Sequence, residues 1–203
     1  MMLNRLAKIF SWVMHPFVIP IYVMAILLFT DTVHSFYPLR IKFYLLWSVA
    51  LYTLVLPGLT MALLRHLKRI RRVRLTKRQL IVIALLVGAV CYLLCSITML
   101  RAPSLALFRK MAMTGVLCEL FCLVTMPFSR LSLHLTAMGA VVALFAILNI
   151  LGEMSLFWAL LVAILLSGVL SSARLIMGRN RSRQLFAGFV GGFLICAVVM
   201  MWI

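Results

Sequence analysis

Acidic side chains are almost missing from this chain of 203 residues. Asp31, Glu119 and Glu153 oppose 20 Lys and Arg, which gives a formal net charge of +17 at pH 7. In a soluble protein this excess would indicate a nucleic-acid partner. Here the cations lie at the ends of long apolar runs, where anionic lipid headgroups are the nearer partner. The expected partners are therefore a membrane and an anionic lipid, and no nucleic acid.

The sequence also lacks linkers, low-complexity segments and clear internal repeats, which predicts a single integral membrane domain over residues 1–203. No small-residue cleavage site precedes Asp31, so the apolar run after Arg5 and Lys8 is expected to be a retained first span rather than a signal peptide. A secreted disulfide framework is excluded as well, because all 5 cysteines lie inside apolar runs.

Hydrophobic residues, by contrast, make up 66% of the chain, and the mean hydropathy is +1.20. Several apolar runs approach the roughly 20 residues that cross a bilayer as a helix. Because backbone groups in lipid must satisfy their own hydrogen bonds, the sequence predicts an all-α, integral membrane helical bundle. About seven transmembrane helices are predicted, at residues 10–30, 41–64, 80–100, 105–127, 134–151, 154–174 and 185–203.

Prolines and cations inside these runs modify the predicted helices. Pro16 and Pro20 fall in the first turns of the first span, and Pro57 is expected to kink the second. Arg109 and Lys110 sit in the first turns of the fourth span, where they must extend along the helix toward the membrane interface. An odd number of spans also puts the two termini on opposite sides of the membrane.

Alternation of the spans sorts the loops into two sides, and 15 of the 20 cations fall on one of them. This basic side holds Arg5 and Lys8, the eight cations of residues 65–78, Arg130, and the four cations of residues 174–183. Such a bias usually marks the cytoplasmic side. A site built to hold phosphate would create the same excess for a different reason, so the orientation stays open.

Three polar segments from distant parts of the sequence meet on the basic side. They are residues 65–78, the entrance to the fifth span with Arg130, Ser132 and His134, and the end of the sixth span at Arg174. Guanidinium groups with a hydroxyl and an imidazole suit a phosphate. Phosphoryl transfer needs a nucleophile and a proton donor in addition. The alternative is that the cations only anchor the loops to anionic lipid.

These segments, in this order, resemble the type 2 phosphatidic acid phosphatase family, especially its small multi-span members in Bacteroidota. The first motif of that family is Lys, six residues, then Arg-Pro. Arg71 and Arg78 have this spacing, and Gln79 stands in place of the Pro. The second motif is Pro-Ser-Gly-His, of which Ser132 and His134 are kept.

The third motif of the family is Ser-Arg, five residues, His, three residues, then Asp. Arg174 keeps the Arg, Asn180 stands where the family has its nucleophilic His, and Gln184 stands where it has the Asp that orients that His. An Asn amide cannot form the phosphoenzyme that His forms. A Gln cannot stabilise an imidazolium either. The nucleophilic half of the motif is therefore degenerate.

The resemblance implies a phosphatidic acid phosphatase-like core in a bacterial inner membrane, with no metal or other cofactor. It implies a protein that binds a lipid-linked phosphate or pyrophosphate, either as a lipid phosphatase or as a pseudoenzyme. By match, phosphate binding falls to Arg71, Arg78, Ser132 and Arg174, and proton donation falls to His134. His15 and His66 are the other imidazoles on the basic side and could replace the missing nucleophile. The alternative function is a non-catalytic transporter or assembly subunit whose basic face binds anionic lipid.

Two other polar features lie inside the predicted spans. Cys91 and Cys95 on one span and Cys118 and Cys122 on its neighbour have the spacing of a four-thiolate metal site. Their depths below the basic side differ, at about 17–23 Å and about 6–12 Å, which favours packing residues instead. Glu119 is the acid inside the predicted bilayer, where a carboxyl usually faces a partner or a cavity. It could orient His134, pair with an Arg, or be protonated and hydrogen-bonded.

Overall fold

A computed structural model describes residues 2–30, 32–71, 76–100, 103–128, 131–152, 154–178 and 180–202. Throughout these ranges the chain is helical, with short connections and no β-strand. The helices are α1 (Met2–Val13), α2 (Ile19–Phe29), α3 (Leu39–Ala50), α4 (Leu56–Arg71), α5 (Lys77–Thr98), α6 (Ala106–Thr125), α7 (Leu133–Ile150), α8 (Phe157–Ile176) and α9 (Ser182–Trp202).

Within the described ranges, five helical stretches are long and apolar enough to cross a membrane. The all-α class is therefore confirmed, and the five candidate spans indicate a multi-pass membrane protein. Helix α2 is apolar but has 11 residues, or about 16 Å, half of a bilayer core of about 30 Å. Helix α6 has 20 residues but carries Arg109, Lys110 and Glu119. The five stretches are Leu39–Leu64, Arg78–Thr98, Leu133–Ile150, Phe157–Ile176 and Ser182–Trp202.

The first predicted span, residues 10–30, is broken into two helices in the structure. Helix α1 ends at Val13, and α2 begins at Ile19 with Pro20 in its first turn. Pro16 lies in the break rather than in a first helical turn. The cause is steric, because a proline disfavours the α conformation of the residue before it. His15 is that residue, and it lies outside both helices.

The distortion expected at Pro57 takes the form of one π-helical turn, Leu51–Val55, between α3 and α4. Proline has no N–H to donate to the carbonyl four residues earlier, which here belongs to Thr53, and its ring crowds that carbonyl. The helix widens instead, and the N–H of Leu56 bonds the carbonyl of Leu51. The chain continues as a helix on both sides of the wide turn.

Contacts between α5 and α6 show that these helices are antiparallel neighbours. Gly88 lies against the Glu119 carboxyl, and Gly115 lies against the Tyr92 ring. From the first contact to the second, the residue number increases along α5 and decreases along α6. The start of α5 therefore lies level with the end of α6 and the start of α7. We term this end of the bundle the basic end.

Two hydrogen bonds fix the opposite end of the bundle. The Lys110 ammonium, in the first turns of α6, donates to the carbonyl of Met200 in α9 at 3.0 Å. The Tyr37 hydroxyl, before α3, donates to the carbonyl of Ser104, before α6, also at 3.0 Å. A cation at the C-terminal end of a helix meets unpaired carbonyls there. Lys110 thus has a protein partner at the helix boundary, as its position in an apolar helix requires.

Helix α7 occupies the centre of the bundle, with 50% of its residues buried, and α9 runs parallel to it in close contact. The contact depends on glycine. A Cβ on Gly192 would overlap the carbonyl oxygen of Thr136, and a Cβ on Gly139 would overlap that of Phe189. Small residues allow two helix backbones to approach this closely. The first turn of α7, with His134, is thereby held against its neighbours.

Candidate phosphate site at the basic end

Two imidazoles meet at the basic end. His15, in the break between α1 and α2, and His134, in the first turn of α7, have ring centroids 5.5 Å apart with the rings inclined at 73°. This edge-to-face arrangement is one that aromatic rings favour. Two residues separated by more than one hundred positions in the sequence are thus brought to one place by the break at Pro16.

Arg174 connects the last turn of α8 to two other elements. Its Nη2 donates to Oδ1 of Asn180 at 3.1 Å, and its Nη1 donates to Oγ of Ser11 at 3.4 Å. Ser11 belongs to α1 and is 7% exposed. The guanidinium is therefore oriented by a hydroxyl and an amide from two directions. Its positive charge also lies at a helix C-terminus, where a cation is stabilised.

Ser132 occupies the N-cap position of α7 but does not cap it through its side chain. Its hydroxyl is buried and has no hydrogen-bond partner among the described residues, although a Ser at this position usually accepts from a backbone N–H. Its carbonyl, by contrast, accepts from the N–H and the hydroxyl of Thr136. A buried hydroxyl at a helix N-terminus is a suitable donor for an anion.

The other predicted phosphate-binding cations are placed less closely. Arg78 lies in the first turn of α5, level with the basic end, and its side chain is exposed beside Gln79 and Val82. Arg71 ends α4, and its side chain is outside the described part of the chain, as is all of Arg130. The described contacts thus bring together His15, His134, Arg174 and Asn180.

The two glutamines that depart from the family pattern both cap helices. The Gln184 side chain accepts from the N–H of Arg181 at 3.1 Å at the start of α9. The Gln79 side chain accepts from the N–H of Thr76 at 2.9 Å, and Thr76 accepts from the N–H of Gln79 in return. This reciprocal pair is a capping box, which satisfies two N–H groups that a helix start leaves open. Both glutamines are therefore accounted for by local structure.

The protonation of His15 bears on what the site can do. Burial first, and then the Arg174 guanidinium, lower the pKa of His15 from its ordinary value of 6.5. The ring is therefore neutral at pH 7. Its Nδ1 accepts from the N–H of Phe17 at 3.4 Å, so the proton of the neutral ring is on Nε2. In that form Nε2 is a hydrogen-bond donor and not a nucleophile.

The sequence alone does not identify Ser11 as part of this site, because a lone Ser inside an amphipathic helix belongs to no motif. Its role follows only from the packing of α1 on α8, which brings it to Arg174 across 163 positions.

The cysteines are free and buried, and no three His, Cys, Asp or Glu side chains of the described ranges cluster as metal ligands would. The donor set at the basic end is of the kind that binds anions.

The chain matches no protein-family model, no curated protein and no solved structure. The support for a function is therefore the geometry of the basic end, together with the order of its polar segments along the chain.

Proposed function

We propose that the protein binds a lipid-linked phosphate or pyrophosphate at the basic end of its helical bundle. The observation that carries the proposal is the placement of Arg174, whose guanidinium is oriented by Ser11 and Asn180 and lowers the pKa of His15. The His15 ring in turn contacts the His134 ring. A guanidinium fork with neighbouring N–H and O–H donors matches the oxygens of a phosphate. The buried hydroxyl of Ser132 adds a donor two residues from His134.

The proposal includes a bundle of about seven spans with a phosphatidic acid phosphatase-like core in a bacterial inner membrane. Helix α6, the predicted fourth span, adds a sixth crossing to the five apolar stretches, since it pairs antiparallel with α5 and Lys110 meets the end of α9. Helix α2, which runs inward from the break at the basic end, adds the seventh. The termini then lie on opposite sides of the membrane, which cysteine-accessibility labelling at both ends would test.

The same geometry favours binding over hydrolysis through a phosphohistidine. Asn180, at the family's nucleophile position, uses its amide oxygen to accept from Arg174. His15 presents a donor rather than a lone pair at Nε2. Neither group attacks phosphorus in these states. The protein is in this respect a lipid phosphatase-like binding protein, with His134 as the group that would protonate a leaving oxygen if hydrolysis occurred.

The binding test compares Arg174→Ala with Arg183→Ala, an exposed cation in the first turn of α9 and therefore a matched loss of charge. Phosphatidic acid and a polyprenyl pyrophosphate are the ligands, and diacylglycerol is the neutral control. The variant Arg174→Ala loses charge-assisted hydrogen bonds, each worth about 1.5–3 kcal/mol. We therefore expect it to bind the phosphate ligands about tenfold more weakly, or weaker still. Arg183→Ala should weaken it much less.

The alternative, a transporter or assembly subunit with a generally basic face, makes a different prediction for this pair. If charge alone matters, Arg174→Ala and Arg183→Ala should weaken binding equally and with the same salt dependence. Equal losses for phosphatidic acid and diacylglycerol would instead show that Arg174→Ala destabilises the fold. Either result would contradict a specific phosphate site at Arg174.

The turnover test restores the missing groups. Phosphate release from the same lipids should be negligible for the native chain, and the paired change Asn180→His with Gln184→Asp should create some turnover. Asn180→His alone should do less, because it lacks the orienting carboxylate. Strong native hydrolysis that survives Asn180→Ala but is lost in His15→Ala or His66→Ala would show that a different imidazole performs the chemistry.

A further inference from the structure

A partly open cavity of about 100 Å³ lies among α2, α5, α6, α7 and α9, and Val49 of α3 and Thr53 of the π-helical turn also line it. Along α7 it extends from Leu133, at the basic end, to Leu144, and along α6 from Glu119 to Phe108. Each of these stretches covers eleven residue steps, or about 16 Å of helix. The lining is apolar for the most part. The lining residues are thus spread along the helices, around a cavity that is not fully enclosed.

The Glu119 carboxyl reaches this cavity from α6. The side chain is 4% exposed, and its Oε2 has no hydrogen-bond partner within the described ranges. The carboxyl lies directly against Gly88 of α5, where any Cβ would overlap it. A buried polar group normally has a partner, because an unmet one costs about 1–3 kcal/mol. The position is therefore unusual for a residue with only a structural role.

Thr53 reaches the same cavity from the π-helical turn. It is 1% exposed, and its hydroxyl also has no partner within the described ranges. Other helical threonines donate to a carbonyl three or four residues earlier: Thr60, Thr98, Thr114, Thr125 and Thr136. The wide turn that Pro57 causes therefore coincides with a hydroxyl that is not satisfied within its own helix. Single π-turns occur often at functional sites.

We propose that this cavity binds the hydroxyl end of an apolar molecule with one neutral hydroxyl group, a long-chain alcohol, whose hydroxyl bonds Glu119 or Thr53 and whose chain leaves through the open side of the cavity. A hydroxyl is both donor and acceptor. It can donate to Oε2 of Glu119 or accept from Thr53, and the first part of the chain then lies against the apolar lining. A metal ion would need several oxygen ligands, which one carboxyl and one threonine do not supply. A neutral group also avoids burying a net charge.

The inference does not rest on phosphate binding at the basic end. The cavity has its own polar groups on different helices, and its proposed ligand is uncharged. The two sites can therefore be lost separately, and each serves as a folding control for the other.

The test is photolabelling of the purified full-length protein in lipid nanodiscs. Three probes share one chain with a diazirine and an alkyne tag, and they end in a hydroxyl, an amine or a methyl group. The hydroxyl probe should label peptides of α5, α6 and α7 several-fold more strongly than the methyl probe. Unlabelled decanol should compete, and decane should compete much less.

Variants then separate hydrogen bonding from filling of a void. Glu119→Leu combined with Thr53→Val should reduce hydroxyl-probe labelling to the level of the methyl probe. Glu119→Gln should retain most of it, because an amide still accepts a hydrogen bond. Thr60→Val is the matched control, since the Thr60 hydroxyl already donates to backbone carbonyls. That change should leave labelling as in the native chain.

Three outcomes would overturn the proposal. Equal labelling of the native protein by the hydroxyl and methyl probes would show an apolar void without polar recognition. Stronger labelling by the amine probe, lost in Glu119→Gln, would show a cation site. Labelling confined to elements that do not line the cavity, and unchanged in Glu119→Leu, would place the alcohol elsewhere. The comparison of the hydroxyl, amine and methyl probes on the native protein decides the question even if the double variant fails to fold.

Discussion

The two polar regions of the bundle differ in how their hydrogen bonds are satisfied. At the basic end, Arg174 already donates to Ser11 and Asn180, and the His15 ring packs against His134. In the interior, the described contacts leave Oε2 of Glu119 and the hydroxyl of Thr53 without partners. The first region consists largely of groups that orient one another, with the buried Ser132 hydroxyl as an exception, and the second of groups that have unused bonding capacity.

The difference follows from where the groups lie on the chain. The groups of the basic end sit at helix ends and in connections, where the backbone can place donors and acceptors together. The groups of the cavity sit within helices, and their positions are fixed by packing across an open space. A phosphate at the basic end would bind a guanidinium that already donates to Asn180 and Ser11, and it would add a bond from the Ser132 hydroxyl. An alcohol in the cavity would add bonds that the protein lacks.

The largest loss of stability is expected from a substitution at the contact between α7 and α9, because both polar regions depend on that contact. The Cβ of Gly192→Ala would overlap the Thr136 carbonyl oxygen, and a backbone group cannot rotate away as a side chain can. We expect a loss of about 3 kcal/mol or more, the upper part of the usual range for overpacking. The measurement is unfolding in detergent micelles, combined with ligand binding at both sites.

The control for this change is Gly168→Ala on α8, where a Cβ meets nothing within 4 Å. It should alter stability by no more than about 0.5 kcal/mol. Loss of one ligand with full retention of the other in Gly192→Ala would contradict the idea that α7 and α9 hold both regions in place.

The next effect separates the two regions. Arg174→Lys keeps the positive charge but replaces a planar fork with a single ammonium. We expect lipid-phosphate binding to weaken about tenfold, which corresponds to about 1.4 kcal/mol. Alcohol labelling of the cavity should not change. Unchanged phosphate affinity would mean that Arg174 contributes only its charge, as in the basic-face alternative.

The apolar runs were sufficient to predict the helical stretches from α3 to α9, because length and hydropathy decide which segments can cross a bilayer. The break at His15 was missed although Pro16 signals it, since the apolar composition continues through the break. The polar segments with His134 and Arg174 were found because loops between apolar runs are conspicuous. Their contact with Ser11 was not predictable, because it depends on how α1 packs on α8.

The cavity was beyond the reach of sequence reasoning for a physical reason. Thr53 is one of several helical threonines, and only the wide turn before Pro57 distinguishes it. Glu119 was recognised as a buried acid, but its possible partners included His134 and an Arg. The structure places its carboxyl against Gly88 instead. A void is a property of several helices together, and no single stretch of sequence encodes it.

A smaller effect, on alcohol binding alone, is expected from a substitution beside the cavity. The Cβ of Gly88→Ala would overlap the Glu119 carboxyl and displace it from its present position. Loss of one neutral hydrogen bond to the alcohol, about 0.5–1.5 kcal/mol, should weaken alcohol binding about two- to tenfold. Binding of phosphatidic acid should be unchanged. A parallel loss of both ligands would show that the change acts through the α5–α6 contact in general.

The smallest effect concerns pH and the basic end. Because the pKa of His15 in the folded protein lies below its ordinary value of 6.5, the unfolded chain binds a proton first as the pH falls. Below about pH 6.5 the unfolded state therefore holds more protons, and the free energy of unfolding decreases. The groups that face this ring are the Arg174 guanidinium and the His134 imidazole. Well above pH 6.5, His15 is neutral in both states and no longer affects the free energy of unfolding.

His15→Gln should remove this part of the pH dependence, because glutamine does not titrate. Unfolding in micelles between pH 5 and 8 should then give a flatter profile for His15→Gln than for the native chain, with the two profiles separating only on the acid side. Alcohol labelling should not depend on His15 at any pH in this range, since the cavity groups lie on other helices. An identical acid-side slope in both proteins would show that His15 is solvated in the folded state. The basic end would then be open to water to a degree that the pairing of Arg174 with Ser11 does not indicate.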